Sequence, residues 1–459
     1  MPMMRTERIP KLLKRFAIPA VIANLISALY NIVDQIFIGQ GVGYLGNAAT
    51  NIAFPITTIS LAIALMLGIG AASNFNLEMG RGNPEKVKKM VGTTYGLLLI
   101  IGLIFTLILL LFTEPIIITF GATGDILHYA STFVRITALS LPFFFISIAC
   151  NAIVRADGSA NYSMMGMVTG AILNMILNPI FIFHLHWGIA GSAWATVISQ
   201  TVSGLIFLAY IPKFKNISLT ARDLIPNVTL LKPICALGLG PMFNQFSVTI
   251  IQITTNNLLR IYGAQETIGS SIPIAVVGVV TKLNQIYIAI VMGISQGAQP
   301  IQGFNYGARA YGRVREIYSL TVKLVTLISI SFFLIFQCFT EPIISLFGTS
   351  SQAYMDYATR YLHIFAAVLF VNGFQIATGL FFSAIGKAKK SAVLVLTKQI
   401  VLILPLLVLM TVVFGVANIM IANPIADFLS AVVAVYFIYR EFQSMPKEDR
   451  PFETEIVSG

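Results

Sequence analysis

Charge is what this sequence has least of. Only 10% of its 459 residues are Asp, Glu, Lys or Arg, against about 25% in a soluble domain. A water-soluble chain of that length needs enough polar side chains to cover its surface. The scarcity excludes an ordinary globular protein, and a mean hydropathy of +0.85 agrees. Cysteine is nearly missing too. Cys150, Cys235 and Cys338 fit neither zinc spacing nor a disulfide framework, and they read as inert thiols in or near apolar segments. No GxxxxGK[ST] phosphate loop occurs, so no nucleotide-driven motor is encoded and no cofactor is expected. The four histidines, His128, His184, His186 and His363, stand near no nucleophile or acid at catalytic spacing, which argues against an enzyme. Met1 to Lys14 lacks a compact apolar stretch followed by a small-residue cleavage site, so no signal peptide is expected.

What fills the chain instead is 57% hydrophobic residues. A membrane span needs about 20 mainly apolar residues. Such runs recur at roughly 12–38, 47–73, 91–112, 128–153, 163–183, 188–211, 233–261, 271–300, 316–338, 356–384, 391–412 and 416–440. They are too long and too continuously apolar for barrel strands, which alternate. The expectation is an all-α integral membrane protein of twelve spans in a lipid bilayer.

The formal charge of +11 does not mark a nucleic-acid binder, because its distribution follows the membrane. Basic residues gather in alternate loops, at Arg5–Arg15, Arg81–Lys89, Arg155, Lys213–Lys232, Arg309–Arg315, Lys387–Lys390 and Arg440–Arg450. The loops between carry Glu114, Asp125, Glu266 and Glu341. The positive-inside rule places both termini in the cytoplasm.

The chain is also two copies of one unit. FTEPIIITFG at 112–121 recurs as FTEPIISLFG at 339–348. Gly80 pairs with Gly307, ADGSA at 156–160 with AIGKA at 384–388, Gly188 with Gly415, and Pro19 with Pro241, at offsets of 222 to 228. Six spans per copy is an even number, so the copies insert the same way up, as parallel repeats. The division is an amino-terminal lobe at 1–212, a cytoplasmic linker at 213–232, a carboxy-terminal lobe at 233–440 and a cytoplasmic tail at 441–459. Two six-helix lobes facing across a cleft suit a transporter that rocks.

Ionisable groups at membrane depth are costly and usually functional. The amino-terminal half offers Asp34, deep in the first span. Asn174 and Asn178 share one face of the fifth span, and Ser192 and Thr196 repeat the four-residue spacing on the sixth. Their oxygens suit a hard-cation cage, with Asp34, Asn174 and Thr196 as Na⁺ ligands, or else a proton on Asp34; the same residues also serve as helix–helix glue. The repeat supplies a control: the positions matching Asp34, Asn174 and Asn178 are Asn256, Leu402 and Leu406. A purely structural role predicts polarity in both copies, so the asymmetry favours function. The other half holds Lys282, which lines the cleft or snorkels, and Lys398, which pairs with a carbonyl or with Asp427. Tyr30, Asn256 and Lys282 are taken as cavity residues, and Pro19 as a kink or bending point of the first span.

The chain resembles the multidrug and toxic compound extrusion (MATE) family over nearly its whole length. The resemblance rests on Pro19, on YNIVDQIFIG around Asp34, on RADG at 155–158, LNMILNPIFIF, GIAGSAWATVISQ at 188–200 and QPIQGFNYGAR at 299–309, and on the 6+6 duplication. It implies a V-shaped pair of lobes in a prokaryotic plasma membrane, exporting amphipathic, mostly cationic organic compounds against H⁺ or Na⁺. It further implies that Asp34 is the coupling carboxylate, Asn174 and Thr196 its neighbours, Pro19 the bending point, and Asn151 a polar member of the same cavity. One departure stands out: Asn178 sits where the family usually has Asp, leaving one formal charge. The alternative reading is a flippase or exporter of a lipid-linked or other endogenous metabolite, which predicts a cleft lined with several cationic side chains. The expected working unit is a monomer whose partners are small organic molecules.

Overall fold

In the bilayer core every backbone N–H and C=O must be paired within its own segment, and the chain answers with helices. A computed structural model describes residues 3–263, 271–346 and 351–449. Glu266 and the end of the expected cytoplasmic tail, residues 450–459, lie outside them. Among the described residues ten helices are long and apolar enough to cross a membrane: α1 (Ile9–Gly41), α2 (Tyr44–Gly80), α3 (Pro84–Thr119), α5 (Ala160–His184), α6 (Gly188–Lys213), α7 (Val228–Gly263), α8 (Ile272–Gly307), α9 (Tyr311–Cys338), α11 (Ala388–Phe414) and α12 (Val416–Ser444). The fourth and tenth spans are bent pairs, α4 (Gly124–Ala138 with Leu141–Ala156, 62°) and α10 (Gln352–Ala366 with Leu369–Ala384, 49°). That makes twelve spans.

The duplication is written into the backbone. Phe112 leaves helical geometry at φ −120°, ψ 26°, and Phe339, its partner in the repeat, does so at φ −121°, ψ 30°. In each copy the next threonine, Thr113 or Thr340, donates to the carbonyl four residues back. The second helix of each half ends in the same clamp. Lys86 reaches Glu78 at 2.9 Å, and Arg313 reaches Asn305 at 3.2 Å, each eight residues on.

Each half has its own core. One runs through α2, α3, α4 and the end of α6, centred on Phe75, Tyr95 and Phe145. The other gathers Tyr287, Val325, Leu362, Ile403 and Ala426. A third cluster joins the halves: Met4, Ile9, Leu13 and Phe16 pack on Ala298, Ile301 and Phe304 of α8. It lies at the cytoplasmic ends, and so do most of the polar contacts between halves. Asn74 Nδ2 donates to the Pro233 carbonyl (2.9 Å). Asn305 Nδ2 and an Arg313 nitrogen both donate to the Met4 carbonyl (3.3 and 3.1 Å), and Arg313 also donates to the Glu7 carbonyl (2.7 Å). Asn24 reaches Gln296 at 3.4 Å, halfway along α1.

The seal is tight because glycine permits it. A Cβ on Gly80 would lie 2.1 Å from the Phe304 carbonyl oxygen, and a Cβ on Gly307 would lie 2.2 Å from that of Leu77. Residues 77 and 304 are themselves repeat partners, so α2 and α8 cross reciprocally about the pseudo-twofold axis. With the lobes joined at their cytoplasmic ends, the V opens outward.

Candidate ion-coupling site

Asp34 lies ten residues beyond Asn24 on α1, about 15 Å further along the helix toward the outside, past the seal. It is half-buried. Asn178, fully buried on α5, donates its amide to Asp34 Oδ1 and also approaches Asn174 Oδ1 at 3.3 Å. Asn174 Nδ2 then donates to Thr196 Oγ1 on α6 at 3.3 Å. Tyr30, one turn below Asp34, sets its hydroxyl against Thr196. Three helices are thus tied by one hydrogen-bonded chain. The four-residue spacings on α5 and α6 produce it, because they keep both asparagines, and both Ser192 and Thr196, on a single face.

Local geometry aims the fifth helix. Pro179 follows Asn178 and cannot donate a backbone hydrogen bond, and the helix widens into a π turn at Ile180–His184. Such turns are uncommon and concentrate at functional sites. Gly191 on α6 packs against the Phe181 backbone, where a Cβ would come within 2.9 Å of the carbonyl.

One oxygen of the hydrogen-bonded chain is left without a donor, and so is the Ser192 hydroxyl one turn from Thr196 on α6. Asn178 Oδ1 and Ser192 Oγ are buried and make no hydrogen bond among the described residues. The orientation of the Asn178 amide is fixed by the carboxylate it serves, since only its nitrogen can face Asp34. Asp34 belongs to none of the eight ion pairs among the described residues. The chemistry on offer is one carboxylate with a neutral ring of amide and hydroxyl oxygens. That donor set fits a proton or a hard monovalent cation and is too poor in charge for a divalent one. Among the described residues no three His, Cys, Asp or Glu converge on a metal position.

The remaining sequence candidates lie elsewhere. Pro19 is buried within α1 near the seal. Asn151 lies toward the cytoplasmic end of α4, where its side chain accepts from Arg155 (3.2 Å) and its carbonyl from Ser163 (2.9 Å). Asn256 is exposed in the outer half of α7, and Lys282 is half-buried on α8. Of the two pairings considered for Lys398, the structure takes Asp427, at 2.8 Å.

Several polar anchors were not singled out from sequence. Asp157, in the loop after α4, is 1% exposed. It accepts from the Tyr210 hydroxyl (2.7 Å) and from the Lys215 and Asn216 backbones (2.8 and 3.2 Å), which ties the linker to the amino-terminal lobe. Burial still pushes its carboxyl above the ordinary carboxylate value. Glu441 is fully buried between Lys387 and Lys390 at 2.6 and 2.7 Å. The available signal was an acid at a span end facing a basic loop.

The MatE family model matches residues 19–180 and 242–409, one block per lobe. The chain belongs to the multidrug and toxic compound extrusion family. It is 26% identical over 434 residues to the multidrug export protein MepA of Staphylococcus haemolyticus, covering 94% of this chain and 93% of that one. A MepA of Staphylococcus aureus is also 26% identical, over 430 residues. Among solved structures, the MATE multidrug transporter DinF-BH is 35% identical, with a TM-score of 0.86 over 95% of this chain and 96% of that one. An outward-facing multidrug resistance MATE transporter of the MOP superfamily shares the fold, with a TM-score of 0.88 over 97% of this chain and 98% of that one, at 24% identity. This MATE chain is therefore a transporter rather than an enzyme, and a multi-pass protein of a prokaryotic plasma membrane.

Proposed function

We propose that this MATE protein exports amphipathic, mostly cationic organic compounds by alternating access, in exchange for H⁺ or Na⁺, working as a monomer in the bilayer. The observation that carries the reading is Asp34: a membrane-depth carboxylate with no basic partner among the described residues, hydrogen-bonded to Asn178, whose own Oδ1 is buried without a donor. In the outward-facing state it is positioned to take a proton or Na⁺ from outside. Neutralising Asp34 weakens the charge-assisted hydrogen bond by which Asn178 holds α5 against α1 and offers the lobe a way to respond to occupancy. The same carboxylate, once emptied, suits an organic cation. A lone charge and neutral oxygens favour a proton, or Na⁺ of modest affinity.

The polyanion-flippase reading needs several free cationic groups in the cleft. Lys398 is neutralised by Asp427, leaving Lys282 as the remaining candidate, so nothing specific favours that alternative.

The test is uptake of a fluorescent cationic dye into proteoliposomes under separately imposed pH and Na⁺ gradients. One gradient is expected to drive dye movement, and Asp34→Asn is expected to abolish the dependence. Ion-driven transport that survives Asp34→Asn would overturn the proposal.

A further inference from the structure

Each lobe holds an aspartate served by an asparagine. In the amino-terminal lobe Asn178 donates to Asp34 and leaves its own Oδ1 buried and unpaired. In the carboxy-terminal lobe Asn372 on α10 donates to Asp427 Oδ2 on α12 at 3.0 Å, and its Oδ1 is likewise buried and unpaired. Repeat symmetry does not explain the likeness, because the helices differ: α1 and α5 in one lobe, α10 and α12 in the other. The residues matching Lys398 and Asp427 in the first half are Gly170 and Gln200. Both fifth helices of the repeat nevertheless carry a π turn at the polar cluster, Ile180–His184 just after Asn178 and Thr397–Ile403 around Lys398.

The difference between the two is a cation. Asp34 has none, whereas Asp427 has Lys398 Nζ on Oδ1 at 2.8 Å, both side chains being 10% exposed. Lys398 also approaches Gln375 Oε1 at 3.5 Å. The Asp427 carboxylate and the Gln375 amide oxygen face the lysine ammonium as oxygens face a bound monovalent ion, while Asn372 holds the other carboxylate oxygen.

We propose that Asp427 and Gln375 form a second cation seat, its carboxylate oriented by Asn372, with a primary ammonium as its ligand, and that Lys398 fills it permanently from within the chain. The consequence is that this lobe contributes no exchangeable ion. Coupling is confined to the other lobe, an addition that rests on the Asp34 reading. Lys398 is in this sense a specificity-determining residue: it sets how many ions the carrier exchanges per substrate.

The seat is tested apart from transport. Full-length protein in lipid nanodiscs is unfolded by heat with n-butylammonium or, as a control lacking N–H donors, choline. Lys398→Ala is expected to melt below the parent and to regain stability with butylammonium in a saturable way, but not with choline. The parent and Lys398→Ala/Asp427→Asn should respond to neither. Equal stabilisation of all three proteins, or none of Lys398→Ala, overturns the seat. If Lys398→Ala is recovered folded only when purified in butylammonium, the seat stands; failure in both salts, with the double variant folding, overturns it.

The silence of the seat is read from ions moved per dye in proteoliposomes. The double variant should keep the parent's ratio, and Lys398→Ala should change it. A double variant that loses ion coupling overturns the silent role. Asp34→Asn bears on the coupling reading alone and leaves the butylammonium response untouched.

Discussion

Ser192 gives the residue scale its most discriminating experiment. Its hydroxyl is fully buried with no partner among the described residues, and an unmatched buried polar group destabilises by about 1–3 kcal/mol. If that oxygen is kept for an ion, Ser192→Ala should move two readings in opposite directions. Thermal stability without coupling ion should hold or rise, while the concentration of ion needed for half-maximal transport should increase. A second residue-scale prediction concerns Asn178. Asn178→Asp places another carboxylate one hydrogen bond from Asp34, giving a hard cation a second charged ligand. Dye transport at fixed pH should become more sensitive to Na⁺, as measured by titrating NaCl against choline chloride. Asp34 itself was legible in the sequence because a lone acid in a long apolar run has few innocent explanations. Gln375 was not, because an amide in a span announces nothing until the helix opposite it is known. Nor was Glu441, whose partners lie more than fifty positions away along the chain.

At the scale of elements, the spans were readable because the solvent dictates them: a bilayer demands continuous apolar helix. The bends were less so. The sequence predicts single spans at 128–153 and 356–384, and the chain instead turns by 62° and 49° within α4 and α10. In α4 the turn falls just before Leu141-Pro142, where the proline stands in the first turn of the new helix, a position that tolerates it. The second turn, at Ala367–Val368, has no proline and no comparable mark. The π turns were equally invisible: one follows Pro179 and the other holds Lys398 and Gln399, but neither pattern distinguishes a widened turn from ordinary helix. The reciprocal crossing of α2 and α8 yields a prediction at this scale. Gly80→Ala or Gly307→Ala sets a methyl within about 2 Å of a main-chain oxygen across the seam, a clash that backbone cannot relieve without separating the helices. Both variants should shift the protein toward the inward-facing state. Spin labels at the cytoplasmic ends of α2 and α8 should report a longer mean distance than in the parent.

For the whole molecule, two lobes with separate cores are joined by a linker that needs an anchor of its own. Asp157 supplies it. Asp157→Ala would strand the Tyr210 hydroxyl and the Lys215 and Asn216 amides, and about 2–3 kcal/mol of destabilisation is expected, read as a lower Tm. The sign of the accompanying pH effect follows from the raised carboxyl. The folded protein holds that proton more tightly than the unfolded chain. The contribution is therefore greatest below the ordinary carboxylate range and is lost as pH climbs through the raised value. Asp157→Asn should flatten that part of the stability profile. The 6+6 plan and the cytoplasmic placement of both termini were legible because duplication and loop charge are one-dimensional signals. The outward-facing pose was not, because it depends on which ends of the lobes touch.

The Met4 carbonyl, held by Asn305 and Arg313, gives the residues ahead of α1 a part in the cycle. Opening the cytoplasmic mouth must pull this latch free. Anything fused to or trimmed from that edge therefore alters the resting balance of the carrier, some distance from where cargo and ion trade places. Removing residues 3–8 should leave dye binding intact and weaken the barrier on the cell side, so that a carrier lacking its latch would leak.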